Sequence, residues 1–226
     1  MRERLASENY LKVITSITLH EQKPLVRLHE IARRLSVSAA AVSDMVKKLV
    51  KAGWVVSHGH QGIKISQKGL ALGKKMIRHH RLWETFLHQS LGLGFEHIHD
   101  EAERLEHASS DVLIDQLEVF LEFPTQDPHG NPIPNKQGVL PASPKQLPLS
   151  NCQIGQQYRI ERFVAMDPDF LTHLHHQGLR IGCELLVEKR LDFDQSLLCR
   201  LDDQTITLST QSLAMIYVSE KECSEA

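Results

Sequence analysis

The chain has 226 residues, of which 41% are hydrophobic and 24% charged, and a formal net charge of −2, which is ordinary for a globular protein of one to three domains. No apolar run is long enough to span a membrane and the N-terminus lacks the apolar core of a signal peptide, so we expect a cytoplasmic protein without a membrane partner. The four cysteines form no Cys-x-x-Cys pair, which argues against a zinc knuckle or a disulfide framework.

The charge is distributed unevenly along the chain. Residues 1–75 contain 14 Lys and Arg against 5 Asp and Glu, whereas the remainder contains 12 against 23. A basic N-terminal third indicates a polyanionic partner, most simply nucleic acid. The acidic remainder holds most of the 14 histidines, which is consistent with cation binding.

The first third of the chain has the pattern of a winged helix. Apolar periodicity predicts a helix over residues 7–20, with Ser7 as its N-cap, and a short amphipathic helix over residues 28–35. After a break at residues 36–38, Ser38 is expected to cap a second short helix that runs from Ala39 to about Lys51. Gly53 ends that helix, and the apolar residues on either side of Gly-His-Gln-Gly predict a β-hairpin. Two short helices with a tight turn, followed by a hairpin, indicate a winged helix-turn-helix domain.

The second short helix is expected to enter the major groove of DNA with its first turn nearest the bases. Small side chains in that turn permit close approach to base edges, and the lysines that follow suit phosphates. The candidate DNA-binding residues are Arg27, Ser38, Ala39, Ala40, Ser43, Lys47, Lys48 and Lys64. The alternative is a generic helical domain with a solvated basic face.

The middle of the chain carries a candidate metal site. A long helix is predicted from Ser66 to about Ser90, and two more helices within residues 98–122. His and Glu residues recur four apart in two of these helices, which places them on one helix face. If the two faces pack together, six nitrogen and oxygen donors converge, a set that suits a divalent transition metal. The six residues are His80, Glu84, His99, Glu103, Glu106 and His107. The alternative is a solvated, ion-paired helix face.

The last helix is followed by a change in composition. Its residues Val112, Leu113, Leu117, Val119, Phe120 and Leu121 are more apolar than a small helical unit needs, which predicts a dimer interface. Residues 124–148 contain 7 of the 9 prolines; residues 127–134 are predicted to be rigid and residues 135–149 to be a flexible connection. Residues 150–221 show five short strand patterns and one or two helical turns within 169–177, which suit a small barrel. The fold class is therefore mainly α with a small β domain.

Three segments carry a resemblance to a known family: His80-Arg-Leu-Trp-Glu84, the ligand-rich stretch from His99 to His107, and Asp127-Pro-His-Gly-Asn-Pro-Ile-Pro134. Over nearly its whole length the chain resembles the diphtheria toxin repressor family of metal-dependent transcriptional repressors, which includes manganese-responsive members. The resemblance implies a non-enzymatic homodimer that binds a palindromic operator when loaded with metal. It also implies a winged helix-turn-helix domain (1–73), a helical metal-binding and dimerisation domain (74–140), a linker (141–149) and an SH3-like, FeoA-like domain (150–226).

The resemblance implies two metal sites in each subunit. The site nearer the DNA corresponds to Asn9, Glu103, Glu106 and His107. Iron-responsive members have cysteine at the position of Glu103 and manganese-responsive members a carboxylate, so Glu103 favours Mn²⁺, which prefers hard oxygen donors. Asn9 departs from the usual Met or Asp, and Lys12 stands where one manganese-type subgroup with a binuclear site has Glu.

The second site corresponds to His80, Glu84 and His99, with a further ligand from the SH3-like domain. Asp169, or alternatively Asp167, is the candidate for that ligand. Some manganese-type members also use the residues that match Asp127 and His129.

The function favoured at this point is a Mn²⁺-dependent repressor of metal-uptake genes, and three alternatives stay open. The first is a repressor of iron uptake that responds to Fe²⁺. The second is a winged-helix regulator with a non-metal effector, in which substitution of Glu106 or His107 leaves operator binding intact. The third is a metallohydrolase, but the sequence has no His-Glu-x-x-His motif, and a basic helix-turn-helix would be unexplained.

Overall fold

The computed structural model describes residues 2–20, 23–164 and 167–220. The chain forms two compact units. The first unit comprises residues 1–82, 103–120 and 133–140, and the second comprises residues 83–102, 121–132 and 141–226. None of the described helices is long and apolar enough to cross a membrane.

Helix α1 (Arg2–His20) forms one wall of the winged-helix core. Its residues Leu11, Ile14 and Ile17 are fully buried and belong to the same apolar cluster as the helix-turn-helix core. The prediction that Ser7 caps this helix was wrong. The helix begins five residues earlier, in a stretch of good helix formers, and the Ser7 hydroxyl donates to the Glu3 carbonyl at 2.9 Å.

The helix-turn-helix has the predicted bounds: α2 spans Leu28–Leu35 and α3 spans Ala39–Lys51. The turn between them places Ser36 at a φ of 52°, and the Ser38 hydroxyl accepts a hydrogen bond from the Ala41 amide at 3.2 Å. Strands β1 (Val55–Ser57) and β2 (Ile63–Ile65) pair in antiparallel fashion as the wing. The buried residues of α3 are Val42, Val46 and Leu49, which lie on its inner face. The opposite face of α3 is therefore at the surface of the winged helix.

Three more helices follow: α4 (Gln67–Gln89), α5 (Phe95–Glu106) and α6 (Asp111–Phe120). Gly73 of α4 lies against α1 so closely that a Cβ there would be 1.9 Å from the Thr15 hydroxyl oxygen. Helix α6 buries Ile114 and Leu117, so the prediction that Leu117 lies in a dimer interface was wrong; it packs in the core of its own chain. The opposite face of α6 is exposed and apolar, at Val112, Leu113, Val119 and Phe120.

Two turns in the proline-rich segment are fixed by side chains that accept hydrogen bonds from backbone amides. One Asp127 carboxylate oxygen accepts hydrogen bonds from the amides of His129 and Asn131, at 2.8 and 2.9 Å, which fixes the turn. Asn135 closes a second turn by accepting from the amides of Gln137 and Val139. The predicted flexible connection, 135–149, therefore begins with this turn, and residues 147–148 near its end form a strand.

The C-terminal part is an antiparallel six-stranded sheet in the order β3-β8-β4-β5-β6-β7. Its elements are β3 (Leu147–Pro148), β4 (Gln157–Phe163), α7 (Pro168–His176), β5 (Glu184–Arg190), β6 (Leu197–Leu201), β7 (Gln204–Leu208), α8 (Thr210–Met215) and β8 (Ile216–Glu220). The five predicted strands and the helical turns after residue 167 are present. Two elements were missed, because β3 has two residues, one of them proline, and α8 has only six.

Candidate metal centre

The first cluster consists of Asn9, Lys12, His80, Glu103, Glu106 and His107, all in the first unit. Ligand atoms of His80, Glu103 and Glu106 lie within 4.8 Å of one another. Glu106 is only 1% exposed and lies between two imidazoles. One of its carboxylate oxygens is 2.6 Å from His80 Nδ1 and the other is 3.3 Å from His107 Nε2. The structure thus gathers Asn9, Glu103, Glu106 and His107, the four residues of the predicted first site, and adds His80, which the resemblance assigned to the second site.

Asn9 joins α1 to this cluster. Its amide nitrogen donates to Glu103 Oε1 at 2.6 Å, which fixes the amide so that Oδ1 lies 2.5 Å from His107 Nε2. Asn9 Oδ1 and Glu106 Oε1 therefore lie 2.5 and 3.3 Å from His107 Nε2, which brings together three atoms that could bind a cation.

Glu8 orients His107 and was missed by the sequence argument. It is buried, and its Oε2 lies 2.9 Å from His107 Nδ1, while Arg4 donates to its Oε1 at 2.7 Å. Burial raises the pKa of the Glu8 carboxyl, but the hydrogen bonds from Arg4 and His107 outweigh it and leave the pKa below its ordinary value. An ionised carboxylate only accepts, so Nδ1 carries the proton in this contact and Nε2 is the ring atom that faces the rest of the cluster. The available signal was the position of Glu8, one helical turn before Leu11 and Lys12 on the inner face of α1.

Lys12 brings a cation of its own into the cluster. Its ammonium nitrogen lies 2.5 Å from Glu103 Oε2, 2.7 Å from Glu106 Oε1 and 3.4 Å from His80 Nδ1. The Lys12 side chain is 13% exposed and that of Glu106 is 0% exposed, so this is a buried ion pair. The sequence argument noted Lys12 only as a departure from a family pattern.

The second cluster consists of Glu84, His99, Asp127 and His129, all in the second unit. Ligand atoms of Glu84, Asp127 and His129 lie within 4.8 Å of one another. His129 Nδ1 is 3.7 Å from Glu84 Oε2 and 3.8 Å from Asp127 Oδ1, and His99 Nδ1 is 3.4 Å from Glu84 Oε1. The structure therefore brings together these four residues of the predicted second-site set.

Asp169, the candidate ligand from the C-terminal domain, is exposed in the first turn of α7. It belongs to none of the groups of three potential ligands found among residues 2–20, 23–164 and 167–220, and its role stays a prediction. The other end of α7 makes a different contact, because the His175 ring lies 5.4 Å from the Phe95 ring, which is 5.3 Å from the His129 ring. Burial lowers the pKa of His175. The sequence analysis did not identify this contact, and the apolar residues Leu171 and Leu174 on the same helix were the available signal.

Both clusters offer only oxygen and nitrogen donors, which fit a hard or borderline divalent ion. Cys152 and Cys199 lie in the C-terminal domain, where burial raises the pKa of the first thiol to about 11 and that of the second to about 12. These thiols stay protonated at neutral pH and are poor ligands.

Most of the candidate DNA-binding residues lie on the exposed face of the winged helix. Those that are exposed are Arg27, Ser38, Ala39, Ala40, Lys47, Lys48 and Lys64, whereas Ser43 is half-buried. Lys47 pairs with Asp44 at 2.9 Å and Lys48 with Glu3 at 2.8 Å. Their contact with DNA stays a prediction.

Comparison with known proteins agrees with this arrangement. Three family models match: the N-terminal DNA binding domain of iron dependent repressors over residues 5–63, their metal binding and dimerisation domain over residues 66–135, and the FeoA domain over residues 147–220. The iron-dependent repressor IdeR of Mycobacterium tuberculosis is 36% identical over 193 residues, which cover 80% of this chain and 83% of the relative. The diphtheria toxin repressor of Corynebacterium efficiens is 29% identical over 189 residues, with coverages of 79% and 81%.

A solved structure described as a manganese-dependent transcriptional repressor in complex with manganese superposes with a TM-score of 0.86 at 32% identity, and covers 95% of this chain and all of that one. The predicted fold class, helical with a small antiparallel β domain, is confirmed. Members of the family are transcriptional repressors and not enzymes, which sets the metallohydrolase alternative aside. The chain belongs to the iron-dependent repressor family, the diphtheria toxin repressor family that its sequence resembles, and is a metal-dependent DNA-binding transcriptional repressor with a C-terminal FeoA domain.

Proposed function

We propose that this chain is a homodimeric repressor of metal-uptake genes that binds a palindromic operator when Mn²⁺ fills its ligand clusters. The observation that carries the proposal is the first cluster, in which buried Glu106, Glu103 and two imidazoles meet Asn9 from the first helix of the DNA-binding domain. Because α1 contributes residues to both the metal cluster and the winged-helix core, it can couple metal binding to DNA binding.

The preference for Mn²⁺ over Fe²⁺ rests on the donor atoms. The first cluster supplies carboxylate and amide oxygens with imidazole, and Glu103 stands where iron-responsive members of the family have cysteine. Manganese prefers such hard donors over thiolate. The comparisons include a relative named as an iron-dependent repressor and a solved structure named as a manganese-dependent repressor. Fe²⁺ is therefore the alternative that the experiment below addresses.

The proposed mechanism is linkage between metal and operator. Asn9 of α1 is tied to Glu103 and His107, while Leu11 and Ile14 of the same helix are buried in the core that also holds α2 and α3. Asn9, Glu106 and His107 would hold a divalent ion at the first cluster, and its positive charge would keep these side chains of α1 and α5 together. Fixing α1 in this way favours one placement of the recognition helix over others. Such coupling is typically about 1–3 kcal/mol, or about 5–150-fold in affinity.

The homodimer is supported by the outer face of α6. Val112 is 73% exposed, Val119 is 51% exposed and Phe120 is 63% exposed. A contiguous exposed apolar face of this kind marks a protein–protein interface. A second copy of the chain is the partner that a two-fold palindromic operator requires, because paired half-sites need paired recognition helices.

The test is fluorescence anisotropy with promoter DNA from a metal-uptake gene and chelator-stripped full-length protein. Mn²⁺, anaerobic Fe²⁺ and Zn²⁺ are titrated separately, and Glu106→Gln is compared with Glu96→Gln, which changes an exposed carboxylate on the same helix. Tight binding only with metal, strongest for Mn²⁺ and lost in Glu106→Gln alone, is the expected result. Stronger activation by Fe²⁺ contradicts the manganese preference. Equal operator binding with and without metal, or in Glu106→Gln, contradicts the proposal as a whole.

A further inference from the structure

We infer that the Lys12 ammonium takes one of two cation positions in the first cluster, so that this cluster binds a single divalent ion. The inference rests on the proposed metal-binding function. It assigns Lys12 a role in setting the number of ions bound.

The first cluster has two positions that share its carboxylates. One lies among Asn9 Oδ1, His107 Nε2 and Glu106 Oε1, the three potential ligand atoms described above. The other is bounded by His80, Glu103 and Glu106, whose ligand atoms lie within 4.8 Å of one another. Glu106 reaches both positions, and Glu103 presents Oε1 to Asn9 and Oε2 to the His80 side. Carboxylates that face two sides in this way are able to bridge two ions.

The Lys12 nitrogen lies in the second of these positions. It is within 3.4 Å of all three groups that bound it, at 2.5 Å from Glu103, 2.7 Å from Glu106 and 3.4 Å from His80. An ammonium group has three hydrogens to donate and no acceptor, so it replaces an ion bound by these same atoms.

Burial keeps Lys12 in this position. Its side chain is 13% exposed and its partner Glu106 is 0% exposed, so moving the ammonium out would take a cation away from a buried carboxylate. The residue next to it on α1, Leu11, is fully buried, which fixes the backbone from which Lys12 extends.

The charges lead to the same conclusion. Glu103 and Glu106 together with Lys12 sum to −1, so one divalent ion brings the cluster to +1 and two ions would bring it to +3. With Glu in place of Lys12 the three carboxylates sum to −3, and two divalent ions then give the same +1. Glu8 does not alter this sum, because its charge is paired with Arg4 at 2.7 Å.

The experiment compares wild type with Lys12→Glu as full-length protein at saturating Mn²⁺. Bound Mn²⁺ is counted after equilibrium dialysis, and electron paramagnetic resonance distinguishes isolated Mn²⁺ from an exchange-coupled pair that shares carboxylates. Wild type is expected to show isolated Mn²⁺ only. Lys12→Glu is expected to bind one more ion per chain and to show the coupled signal. A coupled signal in wild type, or a folded Lys12→Glu protein without the extra ion, overturns the inference.

Two controls separate charge from position. Lys12→Arg keeps the charge and is expected to keep the wild-type count, and Lys51→Glu makes the same charge change on an exposed part of α3, with no gain. If Lys12→Glu does not fold, Lys12→Gln tests the same idea. It is expected to bind no extra ion but to bind the first one at least about tenfold more tightly, because an opposing charge is gone. Unchanged affinity in Lys12→Gln contradicts the inference, whereas wild type that binds no Mn²⁺ contradicts the proposed function itself.

Discussion

The two ligand clusters are built from different parts of the chain, and the difference indicates what each can control. The first cluster takes residues from α1, α4 and the end of α5, and its α1 residues also belong to the DNA-binding domain. The second cluster takes residues from α4, α5 and a loop that Asp127 closes onto its own backbone. Only the first cluster includes a helix of the winged-helix core. We therefore expect the first cluster to govern operator binding and the second to contribute mainly to stability.

The largest effect is expected from removing a buried ligand of the first cluster. His107→Ala removes the imidazole that meets both Asn9 and Glu106, and operator affinity at saturating Mn²⁺ should fall by up to about 150-fold, the upper range of typical coupling. Anisotropy titration measures the loss, with His97→Ala, an exposed histidine on α5, as the matched control. An affinity within a factor of two of wild type would remove the first cluster from the mechanism.

An intermediate effect is expected at Glu8, which touches His107 without being a proposed ligand. Glu8→Gln weakens the hydrogen bond that orients His107 Nδ1, and loss of such a partner typically costs about 10–100-fold in metal affinity. The Mn²⁺ concentration that gives half-maximal operator binding should rise by that factor, while operator affinity at saturating Mn²⁺ recovers. A shift in the saturated affinity instead would show that Glu8 acts on DNA binding directly.

The smallest effect on DNA is expected from the second cluster. His129→Ala removes a nitrogen near Glu84 and Asp127 but no group that α1 touches, so saturated operator affinity should change by less than about fivefold, the lower end of typical coupling. The midpoint of thermal unfolding with Mn²⁺ should nevertheless fall, because an ion that binds only the folded state stabilises it. Without metal the two proteins should unfold at similar temperatures. A loss of operator affinity as large as that of His107→Ala would erase the distinction between the clusters.

The sequence predicted the elements whose signals are local. The Ser38 cap and the glycine after α3 mark the helix-turn-helix correctly, and the four-residue spacing on α4 and α5 singled out side chains that the structure brings together. It mistook Ser7 for a cap, since a serine inside a helix can bond back to a carbonyl of the preceding turn. The ion pair between Lys12 and Glu106 joins residues 94 apart in sequence, and only the packing of α1 against α5 determines it.

Gly73 allows α1 and α4 to pack at a short distance. Even a methyl group there would meet the Thr15 hydroxyl at 1.9 Å and the Leu11 carbonyl at 2.7 Å, so any larger residue must move α1 away from α4. Leu11 adjoins Lys12, and no metal ligand is altered by the change. We expect Gly73→Ala to raise the Mn²⁺ concentration at which the operator is half-occupied, measured by the same titration. The separation of two helix backbones, and not only the ligand set, would then determine the metal concentration at which the repressor responds.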